Sequence, residues 1–149
     1  SHTTTVVVAS TSGETGVEFS RELKGSATVI VVSHEAMNPQ YKQHIIESGG
    51  TPIDRTHLPL HAEGMDAIRE TFRAFGQGLK VAVKVILIAA DKGQVPLYHD
   101  VIGVGGRGRG ADTAIVARAT TTKEAFSKNV TKKLEIREIL AMPVRKKWW

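Results

Sequence analysis

The stretch VVVASTSGETG, from Val6 to Gly16, joins a run of three valines to a turn rich in glycine and hydroxyl side chains. The valines are typical of a strand buried on both faces of a sheet. The following segment is typical of a loop that leads into a helix, since Ser and Thr are common at helix starts. A buried strand that enters a helix through such a loop favours an α/β fold and is a common way to build an anion site.

The rest of the chain alternates strand and helix patterns in the same way. Strands are predicted at Thr4 to Ala9, Ala27 to Ser33, Thr51 to Arg55, Val101 to Val104 and Thr113 to Ala117. Helices are predicted at Glu14 to Lys24, Asn38 to Ser48, Ala62 to Phe75 and Leu79 to Asp91. The segment from Leu134 to Met142 fits either a last strand or a short helix. Repeated strand–helix units predict a largely parallel sheet covered on both faces.

The composition is that of one ordinary globular domain spanning residues 1–149, 41% hydrophobic and without cysteine. The lack of cysteine excludes disulfides, thiolate zinc sites and thiol catalysis, and it favours a reducing compartment. No run approaches the roughly 18 apolar residues that span a bilayer, and no signal-peptide pattern opens the chain. We therefore expect a cytoplasmic protein with no membrane partner. Ser1 and His2, which stand in place of an initiator methionine, are given no functional weight.

A basic tail, residues 144–149, contributes three charges to the formal net charge of +5, from Arg145, Lys146 and Lys147. Such a tail could bind nucleic acid or an anionic surface. A solvated or interface-packed chain end explains it more simply, so nucleic acid is not the partner we expect. Trp148 and Trp149 would suit the cover of an exposed sheet edge in a homo-oligomer.

The first candidate site is the loop after the first strand. Thr11, Ser12 and Thr15 offer hydroxyl donors. Gly13 lets the backbone approach a ligand closely, and a helix beginning near Glu14 points its free N–H groups at the loop. These features bind phosphate well, but ordinary N-capping explains the hydroxyl groups equally well. Glu14 is an unfavourable neighbour for a dianion unless its carboxylate points away.

The second candidate site is the glycine-rich loop GVGGRGRGADT, Gly103 to Thr113. It contains G-x-G-x-x-G, but a strand pattern follows where the dinucleotide fingerprint requires a helix, so classical dinucleotide binding is not expected. Arg107 and Arg109 can each bind a phosphate or carboxylate through two N–H groups, and Asp112 could tether one of them. The alternative is a mobile hairpin with solvated arginines; we favour the ligand-binding interpretation.

Other functional patterns are weak. The sequence has no Walker motif, no H-E-x-x-H pattern and no nucleophile–base pair recognisable by spacing. His57 and His61 have helical spacing, but Pro59 between them argues against a shared metal ion, and no metal is predicted. Asp91 could be catalytic, although pairing with a lysine or capping a backbone group is the simpler role.

Four segments, in order, resemble the pyruvate kinase C-terminal domain-like family: VVVASTSGETG, VIVVSH, FGQGLKVAVKVILIAADKG and VIGVGGRGRGADTA. The resemblance covers about Thr4 to Pro143 and is greatest to small stand-alone members of unknown function. It implies a three-layer α/β/α sandwich with a five-stranded, mostly parallel mixed sheet in which one edge strand is antiparallel. It also implies a homo-oligomer, since pyruvate kinases assemble partly through this domain.

The resemblance further implies a ligand. In pyruvate kinases this domain carries no chemistry and holds an allosteric sugar phosphate in a Ser/Thr-rich loop, closed by a Gly-rich loop. The positions that match the first loop are Thr11, Ser12, Gly13 and Thr15. Those that match the second loop, less closely, are Gly106, Arg107, Gly110 and Thr113. The stand-alone relatives suggest a phosphorylated ligand such as flavin mononucleotide (FMN).

The chain also departs from the family pattern. Lys84 stands in the apolar helix where the family tends to place an acidic residue, and Ala36-Met37 follows VVSH where the family tends to have Gly-Phe. The Trp-Arg-Pro effector loop of pyruvate kinases is absent, which weakens the case for fructose bisphosphate. The chain contains no catalytic barrel, so we expect no pyruvate kinase activity.

We predict first a phospho-ligand-binding domain, in which the hydroxyl loop holds the phosphate and Arg107 and Arg109 close over it. His34 and His57, each just after a predicted strand, could line the other end of the ligand, although strand-end packing explains both more simply.

Two other functions stay open. The same pocket could serve a small enzyme that acts on a phosphorylated metabolite or uses a flavin, with Asp91, Asp112 and the two histidines as candidates. The basic tail could instead make the protein a nucleic-acid or interaction module, which predicts salt-sensitive binding.

Overall fold

The computed structural model describes residues 3–146, so the predicted tail residues Lys147, Trp148 and Trp149 lie outside the described part of the chain. Helices pack on one six-stranded mixed sheet in an α/β fold. The strands are β1 (Thr4–Ala9), β2 (Ala27–Val32), β3 (Thr51–Ile53), β4 (Asp100–Gly105), β5 (Thr113–Arg118) and β6 (Ile136–Ala141). The helices are α1 (Glu14–Glu22), α2 (Pro39–Glu47), α3 (Asp66–Arg73), α4 (Gln77–Asp91) and α5 (Thr122–Ala125), with a 3₁₀ turn at Pro59–His61.

The strand order is β3-β2-β1-β4-β5-β6, and β1 lies inside the sheet. The strands from β3 to β4 are parallel, whereas β5 runs antiparallel to both of its neighbours. Val7 lies opposite Ile30 of β2 on one side and Gly103 of β4 on the other. Val6, Val7 and Val8 are 4%, 0% and 0% exposed, which confirms the prediction of a strand buried on both faces.

The sheet has six strands where five were expected. The additional strand is β6, one of the two alternatives that the sequence left open for this segment, and Ile139 pairs with Ile115 of β5. β6 lies at the edge of the sheet and exposes most of its side chains. It therefore lacks the apolar alternation by which a half-buried strand is recognised in a sequence.

The two faces of the sheet belong to different hydrophobic clusters. Val8 and Val31 cluster with Val17 of α1 and Ile45 of α2. Val7 clusters instead with the apolar side chains of α4. Helices therefore cover alternate side chains of the same central strand, as expected for parallel strands that are buried on both faces.

The helix α4 confirms the prediction of a buried helix from Leu79 to Asp91, despite its many β-branched residues. It has 15 residues, more than a strand usually has, and it begins after Gly76, whose φ is +101°. Val83 and Leu87 are fully buried. Within residues 3–146, no helix combines the length and the apolar character that crossing a bilayer requires.

Some element ends differ from the prediction. α3 begins at Asp66 and not at Ala62, because Pro59–His61 forms a 3₁₀ turn and Gly64 has a φ of +83°. The short helix α5 was not predicted, since four residues are too few to produce a periodic pattern. None of these differences affects the loops that follow β1, β2 and β4. Because these strands are parallel, their carboxyl ends and the loops lie at one edge of the sheet, where ligands bind in open α/β sheets.

Candidate functional site

A cavity of about 790 Å³ lies at this edge of the sheet. Its walls are the loop after β1, the loop after β2, one face of α4 and the hairpin between β4 and β5. The volume is within the range of about 300–1,000 Å³ usual for small-molecule sites. The predicted site residues that line it are Thr11, Ser12, Thr15, His34, Gly106, Arg107, Arg109 and Gly110.

Serines in the loop after β1 cap α1, whereas its threonines remain available. Ser12 Oγ accepts a hydrogen bond from the N–H of Glu14 (3.2 Å), and Ser10 Oγ accepts one from the N–H of Gly16 (3.1 Å). The N–H of Thr15 lies between these two and has no acceptor among the described residues. The serines therefore cap the helix, as the N-capping interpretation predicts, whereas Thr11 and Thr15 line the cavity.

The loop after β2 is tied to the first loop through Ser33. Its Oγ donates to the carbonyl oxygen of Thr11 (3.1 Å) and accepts from the N–H of Glu35 (3.1 Å). His34 lines the cavity, with Nε2 3.5 Å from Glu35 Oε1. The hydroxyl of Ser33 thus fixes the spacing of the two loops that form one end of the cavity.

Asp54, at the end of β3, holds the start of α2 in place. Its carboxylate accepts hydrogen bonds from the N–H of Met37 (3.0 Å) and from Lys42 Nζ (3.1 Å). Burial by itself would raise the pKa of Asp54, but the bonds from Met37 and Lys42, with the charges of Lys42 and Arg55, outweigh it and lower the pKa. Asp54 therefore stays ionised and supports the cavity wall from behind.

The hairpin between β4 and β5 carries its two arginines over the cavity. Arg107 Nε lies 3.8 Å from Asp112 Oδ2, in agreement with the predicted tether. Arg109 Nη2 lies 3.5 Å from Glu14 Oε2 and so reaches across to the start of α1. Because the Arg109 side chain is 90% exposed, this ion pair contributes little stability and can be exchanged for a ligand anion.

The hairpin can close tightly because Gly106 has no side chain. A Cβ there would lie 2.3 Å from the carbonyl oxygen of Gly110. Gly110 itself has a φ of +79°, which favours glycine. These two glycines thus shape the loop, and its side chains that line the cavity are those of Arg107 and Arg109.

One face of α4 forms an apolar wall that carries a single charge. Val81, Val85 and Ile88 line the cavity together with Lys84. Burial lowers the pKa of Lys84. Lys84 departs from the family pattern but was not among the predicted site residues. The available signal was that Lys84, like Lys80, interrupts a largely apolar helix. Which face of α4 meets the cavity depends on the tertiary packing.

Lys80, one turn before Lys84 on α4, is 2% exposed. Burial, together with the positive charges of Lys84, Arg73 and Arg69, lowers its pKa to about 8. His61 lies in the same neighbourhood, and burial and the charge of Lys80 lower its pKa. The positive charges of Lys84, Arg73 and Arg69 thus act together on Lys80, and the carboxylate of Glu70 opposes them in part.

Three predicted site residues do not line the cavity. Gly13 lies beneath it as the N-cap of α1, where a Cβ would lie 2.9 Å from Tyr41 Cβ. Thr113 is buried and donates from Oγ1 to Asp112 Oδ1 (2.7 Å), so it positions the tether of Arg107. His57 does not reach the cavity at all.

His57 instead joins a group of polar residues centred on Asp91. Its Nε2 lies 2.8 Å from Asp91 Oδ2. Asp91 also accepts hydrogen bonds from the N–H (2.8 Å) and Oγ1 (2.6 Å) of Thr122 at the start of α5. The backbone-capping role predicted for Asp91 agrees with this geometry. The group ties three separate segments together and lies outside the cavity lining.

Within residues 3–146, no three His, Asp or Glu side chains are grouped so that they could hold a metal ion. A scan of the chain against models of known protein families finds no match.

Proposed function

We propose that this protein is a phospho-ligand-binding domain with the three-layer α/β/α sandwich of the pyruvate kinase C-terminal domain-like family. The observation that carries the proposal is the meeting of two loops at one cavity. The hydroxyl loop at the start of α1 and the arginine hairpin after β4 are separated by about 90 residues in the sequence, yet both line it.

The phosphate would be held at the start of α1. Thr11 and Thr15 donate from their hydroxyl groups, and the free N–H of Thr15 and the helix dipole add to the attraction. Ser12 Oγ already accepts a hydrogen bond but can still donate its own proton. When a phosphate enters, the guanidinium of Arg109 leaves Glu14 and binds the phosphate. A dianion attracts the guanidinium more strongly than one half-exposed carboxylate does.

The remainder of the cavity fits the body of a small ligand. Val81, Val85 and Ile88 provide an apolar surface on which a flat ring can pack. The residues present therefore fit FMN, with the phosphate on the hydroxyl loop, and they fit other phosphorylated molecules of similar size. Bound FMN would supply one- or two-electron redox chemistry. The alternative of a small enzyme stays open. Its candidate catalytic residue is then His34, which lines the cavity, because Asp91 and His57 lie outside the lining.

The experiment is native mass spectrometry of the purified protein together with its absorption spectrum. We expect a bound phosphorylated species, or a thermal shift on addition of FMN or inorganic phosphate. Thr15→Ala and Arg107→Ala should each weaken binding about 10- to 100-fold, the usual effect of losing a hydrogen bond to a charged group.

The matched controls are Thr71→Ala on α3 and Arg21→Ala on α1, both exposed and outside the cavity lining. They should leave binding unchanged. A wild-type protein that is empty and responds to neither FMN nor phosphate would contradict the proposal.

A further inference from the structure

Lys84 presents the one ammonium group on the apolar wall of the described cavity. It is half-buried, and its neighbours on the same face of α4 are Val81, Val85 and Ile88. Among residues 3–146, no carboxylate or other acceptor bonds to its Nζ, and burial alone acts on its pKa. An unpaired ammonium in such a place is costly, whereas an aliphatic side chain would satisfy the packing.

The carboxylates that line the cavity have other partners. Glu14 lies 3.5 Å from Arg109, and Glu35 lies 3.5 Å from His34. Neither forms an ion pair with Lys84 within the described residues. The cavity therefore contains a cation whose counter-charge this part of the chain does not supply.

The charged residues described on the side of α4 that faces α3 supply no counter-charge to Lys84. Lys80 lies one turn away on α4, and the charges of Arg69 and Arg73 from α3 reach the same region. Arg69 and Arg73 are paired with Asp66 and Glu70 on α3, so these two carboxylates are already engaged. These carboxylates on α3 are therefore not available as partners of Lys84.

The cavity is much larger than one phosphate requires, and the residues proposed to hold the phosphate are on different elements from Lys84. We propose that Lys84 binds a second anionic group of the ligand, so that the ligand is a phosphorylated small acid: a molecule with a phosphate at one end and a carboxylate or second phosphate at the other. This inference rests on the proposed function, because it takes the first phosphate to be at the hydroxyl loop.

The test compares matched pairs of probes by isothermal titration calorimetry. Glycerol 3-phosphate and 3-phosphoglycerate differ only in a hydroxymethyl group against a carboxylate. Propane-1,3-diol monophosphate and bisphosphate make the same comparison for a second phosphate. Wild-type protein should prefer the doubly anionic member of at least one pair by about 10- to 100-fold, and the pair that shows the preference identifies the second group.

Lys84→Gln should reduce that preference to near one while the affinity for the singly phosphorylated probe stays within about 3-fold. Lys84→Arg keeps the charge and should retain much of the preference. Lys123→Gln, which removes an exposed positive charge elsewhere, should leave the ratio unchanged. Thr15→Ala should weaken both members of a pair alike.

Two results would overturn the inference alone. One is a wild-type protein that binds inorganic phosphate but shows no preference within either pair; the other is Lys84→Gln weakening both members of a pair equally, which would assign Lys84 to the first phosphate. Failure of the wild-type protein to bind inorganic phosphate and every probe would instead contradict the proposed function itself.

Discussion

Gly16 is the residue at which α1 comes closest to the sheet. A Cβ at this position would lie 2.3 Å from Val31 Cγ1 and 3.0 Å from Cγ2. Gly16→Ala should therefore lower the free energy of unfolding by about 1–3 kcal/mol, the usual cost of overpacking a core. Urea denaturation of the purified variant measures this loss.

A double-mutant cycle with Val31→Ala identifies the cause. Val31→Ala alone destabilises the protein, because it leaves a cavity in the core. The double variant should lose less stability than the sum of the two single variants, because the methyl groups that the new Cβ meets are then gone. Strict additivity would contradict the close contact between Gly16 and Val31.

Lys80 should make stability depend on pH in an unusual direction. Its pKa in the folded protein is about 8, below the ordinary value of 10.5. At neutral pH Lys80 is charged in both states, and the fold bears the cost of its burial. Between about 8 and 10.5 the folded protein releases this proton while the unfolded chain retains it, so the contribution of Lys80 to stability rises with pH.

Lys80→Met, which keeps an unbranched side chain only one atom shorter, should therefore raise the free energy of unfolding at neutral pH by about 1–3 kcal/mol, allowing for some remaining access of the ammonium to solvent. This gain should shrink as the pH rises toward 10.5. Urea unfolding of both proteins over this pH range measures the difference. A gain that stayed constant with pH would show that Lys80 is not the titrating group.

At the scale of elements, α4 shows what a sequence pattern can decide. Its length and the glycines that flank it predicted a helix correctly, although its β-branched residues suit a strand. The pattern could not show whether the segment that forms β6 is a strand or a helix. An edge strand with both faces exposed need not place its apolar residues at the two-residue spacing of a strand or at the 3.6-residue spacing of a helix. The local sequence thus specifies elements that are buried in the core, whereas an edge element is specified by its pairing partner.

Asp91 joins three elements, since its carboxylate bonds to His57 before the 3₁₀ turn and to Thr122 at the start of α5. Asp91→Asn keeps the shape of the side chain, but its amide nitrogen cannot accept the hydrogen bond from Thr122 Oγ1. We expect a loss of about 1–3 kcal/mol in the free energy of unfolding, typical of a hydrogen bond to a charged group. The measurement is again urea denaturation.

Asp66→Asn is the control for this prediction, because Asp66 is also a helix carboxylate but has a highly exposed side chain whose one ion-pair partner among residues 3–146 is Arg69. It should cost less than about 1 kcal/mol. If the two variants lost equal stability, Asp91 would have no special role in joining these elements.

At the scale of the molecule, the two loops that line the cavity could be located from the sequence because each is continuous in the chain. The rest of the site could not, since it depends on how distant elements meet. His57 follows β3 but bonds to Asp91 at the far end of α4. Lys84 joins the cavity only because α4 turns that face toward the loops after β1 and β2. Residues contributed by a helix face thus need the tertiary structure to be recognised.

The edge strand β6 is where we expect a homo-oligomer to form its interface. It has β5 on one side and no described strand on the other. Ile139 and Leu140 are 39% and 48% exposed, and Met142 follows them with 38%. A strand edge with unpaired backbone groups and adjacent exposed apolar side chains favours association with another chain. The proposal is that a second copy of this protein pairs here.

Light scattering coupled to size-exclusion chromatography measures the subunit number. We expect an oligomer for the wild type and for Val130→Lys, a control whose apolar side chain is 74% exposed but lies outside β6. Leu140→Lys should shift the protein toward the monomer, because the partner would have to bury an unpaired ammonium. Unchanged circular dichroism would show that the variant still folds. A wild type that is monomeric at every concentration would contradict the proposal, whereas an oligomer that survives Leu140→Lys would move the interface to another surface.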